Sequence, residues 1–205
     1  MKWADVRILT VPLKEGSERN RVLMDTARAC ADRYHVPLDY RILAGAFAVP
    51  GFSFATESCL KGMTLASKLI VIAHSDESYV GPCTPKALAR ELRKMGLRQV
   101  GLISFKCCMV GNGDYLEQLI QEATGCIDIG WALSYKGLST LRDGHLRIHD
   151  EKLALTFGIL RQKHGDAARV KVVRGNVPVL PPHGWSERFP AISTLAFPGH
   201  AVRMA

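Results

Sequence analysis

The chain has 205 residues, of which 47% are hydrophobic and 22% are charged, and its formal net charge is +8. This composition excludes a disordered chain, and no apolar run approaches the roughly 20 residues of a membrane span. The charged first residues lack the apolar core of a signal peptide, so we expect a cytoplasmic protein whose six cysteines are free thiols.

The positive charge favours an anionic partner. No block of five or more basic residues occurs, so the same charge is also explained by solubility alone. We expect a small anionic molecule rather than a nucleic acid. The chain has neither a Gly-x-Gly-x-x-Gly nor a Gly-x-x-x-x-Gly-Lys loop, which counts against a nucleotide and against an enzyme of phosphorylated small molecules.

Strand and helix patterns alternate in the first half of the chain. Residues 44–66 lack a sustained period and are predicted as a loop, although 56–65 has the composition of a short helix. The other predicted elements are a strand at 6–11, a helix at 17–34, an alternating strand at 37–43 and a continuously apolar strand at 69–73.

The second half continues this alternation and then becomes irregular. Its predicted elements are a helix opened by Thr84-Pro85 and ended by Gly96, a strand at 100–105, a helix after residues 111–114, a strand at 126–133, a hairpin at 138–148 around Asp143-Gly144, a helix at 153–163 and a strand at 169–173. The order predicts one α/β domain over 1–175, with a mainly parallel, helix-flanked sheet. The proline-rich residues 176–205 are predicted to form an irregular tail packed on it.

Two side chains suited to nucleophilic catalysis follow consecutive predicted strands. His74 ends the strand at 69–73, and Cys108 comes just after the strand at 100–105. Strands joined by a single helix are usually neighbours, about 4.8 Å apart, so a His-Cys dyad can form at this edge of the sheet. Lys106 and the start of the next helix add positive potential that favours a thiolate.

These segments resemble the caspase-like cysteine peptidases, especially the self-cleaving protease domains of large bacterial toxins. The resemblance is carried by Val-Ile-Ala-His-Ser at 71–75, Thr-Pro-Lys-Ala-Leu at 84–88 and Ile-Ser-Phe-Lys-Cys-Cys at 103–108. It covers roughly residues 68–150 and implies a caspase-like sheet. It further implies a peptidase that cleaves a protein or peptide substrate, as an effector or toxin-related protease delivered to a host cell.

The resemblance also implies the role of each residue. Cys108 is the nucleophile, His74 is the general base, and the backbone around Ser75 and Cys108 holds the oxyanion, supported by Cys107 and Lys106. The following strand and hairpin line the substrate cleft, with Trp131 and Ser134 as contacts. In the toxin domains a basic surface beside the hairpin binds inositol hexakisphosphate as an activator, and the basic residues in the corresponding region are Arg142, Arg147, Arg169 and Lys171.

Ser75 and Cys107 stand where the family has glycines, so an added side chain could narrow the oxyanion region. A catalytically inactive caspase-like module that binds a protein or an anionic ligand is therefore an alternative. Cysteines near buried strands also serve as small core residues. A zinc site would need Cys59, Cys83, Cys107 and His74, but no Cys-x-x-Cys spacing supports one.

Overall fold

The computed structural model describes residues 3–13, 17–142, 145–149 and 169–189, together with Thr156 and Ile192. The strands are β1 (Asp5–Val11), β2 (Arg41–Leu43), β3 (Ser53–Phe54), β4 (Ser67–Ala73), β5 (Gln99–Phe105), β6 (Asp128–Tyr135), β7 (Ser139–Arg142), β8 (His145–Ile148) and β9 (Val170–Arg174). The helices are α1 (Arg19–Tyr34), α2 (Pro85–Lys94), α3 (Tyr115–Ala123) and the short α4 (Trp185–Arg188).

Seven of these strands form one sheet in the spatial order β3-β2-β1-β4-β5-β6-β9. Every neighbouring pair is parallel except β6 and β9, which are antiparallel. The predicted α/β class with a mainly parallel, helix-flanked sheet is therefore confirmed. The strands that end at Ala73 and Phe105 are direct parallel neighbours, as predicted from the single helix between them.

The residues that flank α2 begin and end the helix as the sequence predicts. The Thr84 hydroxyl accepts a hydrogen bond from the Ala87 N–H at 3.3 Å, and Pro85 occupies the first helical position, where no N–H is needed. Gly96 follows the helix with a φ of 89°, a left-handed conformation that glycine adopts without steric cost.

Two stretches differ from their predictions. Only Arg41–Leu43 of the strand expected at 37–43 pairs with the sheet, because Leu38–Tyr40 forms a 3-10 turn in which the Tyr40 N–H bonds to the Pro37 carbonyl. The short helix considered at 56–65 is replaced by separate turns, whose bonds run only three residues back along the chain. The surrounding loop contributes the two-residue strand β3.

The hairpin expected at 138–148 is present as the antiparallel pair of β7 and β8. Its predicted turn, Asp143-Gly144, and all of the helix expected at 153–163 except Thr156 lie outside the described residues. Residues 176–189 pack on the sheet: Asn176 bonds to the main chain of β6 and of Ile127, and Trp185 lies against Trp131 with ring centroids 6.1 Å apart.

The helices cover the two faces of the sheet. On the α2/α3 face, side chains such as Leu69, Val71, Ile103 and Phe105 belong to one continuous apolar core with α2 and α3. On the α1/α4 face, α1 packs on Ile8, Ile70 and Ile72, whereas α4 packs near Leu102 and Trp131 in a separate cluster. No helix in the described ranges is both long and apolar enough to cross a membrane.

Candidate functional site

His74 and Cys108 emerge side by side from two neighbouring strands. β4 and β5 pair so that Val71 lies opposite Phe105, and His74 and Cys108 each follow three residues later. Beyond the ladder, the Ser75 hydroxyl donates a 2.5 Å hydrogen bond to the Cys108 carbonyl. The structure therefore ties together the two chain segments that sequence analysis selected.

The His74 ring has a defined orientation. Its Nε2 atom lies 3.0 Å from the carbonyl oxygen of Arg19, the first residue of α1. Because a carbonyl oxygen only accepts hydrogen bonds, this contact places the proton on Nε2 and leaves Nδ1 of the neutral ring with a lone pair. The His74 backbone is fixed as well, since its carbonyl accepts the Gly81 N–H at 2.7 Å.

The two adjacent cysteines occupy different environments. Cys107 is 1% exposed, and its sulfur lies 3.6 Å from the Val71 carbonyl oxygen. Burial raises the pKa of the Cys107 thiol to about 12, so this thiol stays protonated at neutral pH. Cys108 is only half-buried. Of the two thiols, that of Cys108 is therefore the more accessible to a substrate or a reagent.

The peptide that follows Cys108 is held from three sides. The Cys108 carbonyl accepts hydrogen bonds from Ser75 and from the Val110 N–H at 2.8 Å. The N–H of the same peptide, on Met109, donates to the Gly137 carbonyl at 3.1 Å. Met109 has a φ of 61°, which is uncommon for a residue with a side chain and indicates local strain.

Lys106 does not point its charge at this peptide. Its ammonium group donates to the Tyr135 hydroxyl inside a cavity on the α1/α4 face and lies 4.8 Å from the centre of the Tyr135 ring. This differs from the supporting role at the thiolate that its sequence position suggested. The physical reason is the adjacent strand β6, which supplies a hydroxyl acceptor within reach of the lysine.

This basic cavity, of about 460 Å³, lies between α1 and the α4 segment. Lys68 is 6% exposed, and its ammonium group bonds to the Tyr34 hydroxyl at 2.8 Å. None of the described lining residues is an Asp or a Glu. The lysine and arginine side chains that line it are Arg33, Lys68, Lys106, Arg169 and Arg188.

Burial is the main cause that lowers the pKa of Lys68, and the nearby charge of Lys106 lowers it further, although Tyr34 opposes both. For Tyr34, burial raises the pKa, but the charge and hydrogen bond of Lys68, together with the charges of Lys106 and Arg33, lower it more. The pair therefore lies beside several basic side chains in a cavity whose described lining contributes no carboxylate. Lys68 was missed in the sequence, where its signal is a lysine immediately before the apolar run of β4.

The residues expected to bind an anion do not all meet in this cavity. Arg169 lines it, whereas Lys171 bonds to the Gly113 carbonyl at 2.7 Å and to Glu117 at 2.6 Å, next to α3. Arg147 lies in β8 and is not among the described lining residues. Arg142 ends β7, and its side chain lies outside what the structure describes.

The two residues expected to contact substrate are both buried. Trp131 is 1% exposed, packs on Trp185 and donates its Nε1–H to the Leu180 carbonyl at 3.3 Å. Ser134 is 0% exposed. This corrects the expected cleft contacts, because the faces of β6 are covered in the structure, as the segment with Leu180 and Trp185 shows at Trp131.

No protein-family model and no curated protein sequence matches this chain. Within the described part of the chain, no group of three or more His, Cys, Asp or Glu side chains is arranged to hold a metal ion. The zinc site considered for Cys59, Cys83, Cys107 and His74 is accordingly not assembled there.

Proposed function

We propose that this protein is a caspase-like cysteine peptidase in which Cys108 is the nucleophile and His74 moves the proton. The observation that carries the proposal is the joint placement of the two residues. They follow adjacent parallel strands, and the residue after His74 hydrogen-bonds to Cys108. This adjacency supports the proposal, because acyl-transfer chemistry needs a nucleophile and a base close together, and the carboxyl edge of a parallel sheet is where such groups gather.

The His74 hydrogen bond supports the direction of proton transfer. With Nε2–H donated to the Arg19 carbonyl, Nδ1 accepts the Cys108 thiol proton and later returns it to the leaving amine. The carbonyl also stabilises the imidazolium that forms in between. Sγ attacks the substrate carbonyl, the C–N bond breaks to give a thioester, and water then releases the acid.

Backbone N–H groups at Ser75 and Cys108 are the candidate donors to the oxyanion. Both belong to the two segments joined by the Ser75 hydroxyl, so their separation is fixed by the same contact. Donors fixed before the reaction stabilise the developing charge without reorganisation. The Cys107 side chain is buried towards β4. It therefore does not occupy the space beside the Cys108 backbone in which the oxyanion would lie.

The test is cleavage of a fluorogenic peptide library by the wild type, Cys108→Ala, His74→Ala and Cys107→Ala. We expect Cys108→Ala to abolish turnover, His74→Ala to reduce it by at least about 100-fold, and Cys107→Ala to retain it. Iodoacetamide should label Cys108 well before Cys107 at pH 7.5, because the Cys107 thiol is protonated and covered. Turnover unaffected by Cys108→Ala would overturn the assignment.

A second candidate function is binding of a polyanion, and the basic cavity favours it. The ammonium groups of the buried Lys68 and the half-buried Lys106 face one space whose described lining has no carboxylate. A phosphorylated ligand would neutralise this charge with strong, charge-assisted hydrogen bonds. An inactive module would use the cavity alone, whereas an active peptidase would use it to bind an activator such as an inositol polyphosphate.

Calorimetric titration with inositol hexakisphosphate tests this second function. We expect binding to the wild type and a loss of at least about tenfold in affinity for Lys68→Met, since each charge-assisted bond is worth roughly 1.5–3 kcal/mol. Lys86→Met is the matched control, because Lys86 is exposed on α2 and lies outside the cavity lining. Equal loss in both variants would show that net charge, rather than the cavity, attracts the ligand. Binding without Cys108-dependent cleavage would favour the inactive module.

A further inference from the structure

The two positions that depart from the glycines of the resembled family touch each other. The Ser75 hydroxyl donates its one proton to the Cys108 carbonyl, and the Ser75 side chain also lies close enough to Cys107 to lower the pKa of that thiol slightly, against the larger effect of burial. Cys107 is in turn held against β4 by the Val71 carbonyl, 3.6 Å from its sulfur. Ser75 therefore connects the loop after His74 with both residues of the cysteine pair.

This connection acts on one particular peptide. The Cys108–Met109 peptide accepts from Ser75 on one side and donates to Gly137 on the other, so it cannot rotate without breaking a bond. Rotation about this peptide would change the direction in which the Cys108 backbone enters the turn. The positive φ of Met109 shows that the turn is held in a conformation which the free chain would seldom adopt.

We propose that Ser75 is a positioning residue: its hydroxyl fixes the peptide after Cys108 and so holds the Cys108 thiol at reacting distance from His74. The inference rests on the proposed His74–Cys108 chemistry. A glycine at position 75 would leave this peptide to its backbone contacts with Val110 and Gly137, whereas here the Ser75 hydroxyl adds the link to the loop that carries His74. Cys107, whose thiol is buried against the Val71 carbonyl, does not take part in the reaction.

The kinetic test compares Ser75→Ala, Ser75→Thr and the control Ser78→Ala, which removes an exposed serine from the same loop. A misplacement of about 1 Å costs up to roughly 100-fold in rate, so Ser75→Ala should lower kcat by about 10- to 100-fold while KM changes less than about threefold. Ser75→Thr keeps the hydroxyl and should restore kcat to within about threefold. Ser78→Ala should behave as wild type.

A second readout does not need a substrate. The pH dependence of Cys108 alkylation, followed by mass spectrometry, reports how well the His74 imidazolium stabilises the thiolate. In Ser75→Ala the midpoint should move to higher pH, and Ser75→Thr should move it back. The melting temperature of Ser75→Ala should fall by no more than about 2–4 °C, the amount expected for one lost hydrogen bond in a domain of this size.

The outcomes separate this inference from the proposed function. If peptides are cleaved through Cys108 but Ser75→Ala keeps the wild-type kcat and alkylation midpoint, the positioning role is overturned and the peptidase stands. If Ser75→Ala lowers kcat, Ser75→Thr does not restore it, and the melting temperature falls by more than about 4 °C, the positioning role is overturned in favour of a structural one. If no peptide is cleaved, a shifted alkylation midpoint that threonine reverses still supports Ser75, while an unchanged midpoint rejects it.

Discussion

The two faces of the sheet use the same strands in different ways. On the α2/α3 face, the middle of β4 and β5 presents Leu69, Val71, Ile103 and Phe105, all 0% exposed and sealed by the two helices. On the α1/α4 face, these strands present apolar residues flanked by Lys68, Ser104 and Lys106, where the basic cavity lies. One face is a continuous core, whereas the other is divided by a polar strip.

The polar strip on the α1/α4 face lowers the stability of the folded protein. Placing an ammonium group between two packed layers is unfavourable unless an opposite charge is present, and a methionine would fill the same position with less cost. On the α2/α3 face the buried charge of Arg7 is compensated, because Arg7 pairs with Asp5 at 3.1 Å and bonds to the Cys59 and Lys61 carbonyls. The contrast favours a binding role for the cavity and a purely structural role for the opposite face.

The largest expected effect comes from breaking the α2/α3 face. Phe105 packs edge-on against Tyr115, with ring centroids 6.2 Å apart. Phe105→Ala should lower the free energy of unfolding by about 3–5 kcal/mol, because it removes a buried ring and leaves a cavity. Urea denaturation followed by circular dichroism measures this loss. A loss below about 1 kcal/mol would show that this face is less tightly packed than its burial indicates.

On the α1/α4 face, Lys68→Met should instead raise the free energy of unfolding, by about 1 kcal/mol or more. The substitution removes a buried charge and leaves the Tyr34 hydroxyl with one partner fewer, which offsets part of the gain. The same variant should lose the rise in melting temperature that inositol hexakisphosphate produces in the wild type. Destabilisation by Lys68→Met would contradict the idea that this lysine is kept for binding.

The pH dependence of stability sharpens the same contrast. Burial holds the pKa of Lys68 below its ordinary value, so in alkaline solution the unfolded chain binds a proton that the folded protein has released. Between the lowered pKa and the ordinary one, stability should therefore rise with pH. Tyr34 acts in the same direction, because its pKa is also lowered in the fold. Comparing the pH dependence of unfolding in the wild type and in Lys68→Met isolates this pair from Lys106, whose pKa is shifted the opposite way. If the two proteins show the same slope of stability against pH, the lowered pKa of Lys68 is contradicted.

The smallest effect concerns the α4 cover of the cavity. Trp185 makes edge-to-face contacts with Trp131 and Phe189, at 6.1 Å and 5.6 Å between ring centroids. Trp185→Leu should lower the free energy of unfolding by about 0.5–1.5 kcal/mol through these contacts. It should also speed the release of a bound polyanion, measured by stopped-flow displacement. Unchanged release would show that α4 does not restrict access to the cavity.

Much of the fold could be predicted from short-range patterns. The continuous apolar runs of β4 and β5, the Thr84-Pro85 helix start and the Gly96 helix end depend on residues close in sequence, and all of them appear in the structure. The short strands β2 and β3 were harder, because Pro37 and the turns at 56–62 compete with pairing whose benefit comes from distant residues. The segments that carry His74 and Cys108 could be placed side by side because parallel strands joined by a single helix are usually neighbours, whatever side chains they carry.

The sequence by itself determined the α/β class, the strands that carry His74 and Cys108, and their adjacency. Only the tertiary structure decided which cysteine is covered, which residue hydrogen-bonds to Cys108, and where the positive charge gathers. Lys68, Lys106, Arg33 and Arg188 are separated along the chain, and no local pattern brings them to one cavity. Their meeting depends on how α1 and α4 leave a gap over the sheet, because the side of a strand that a helix covers is set by packing between elements distant in sequence.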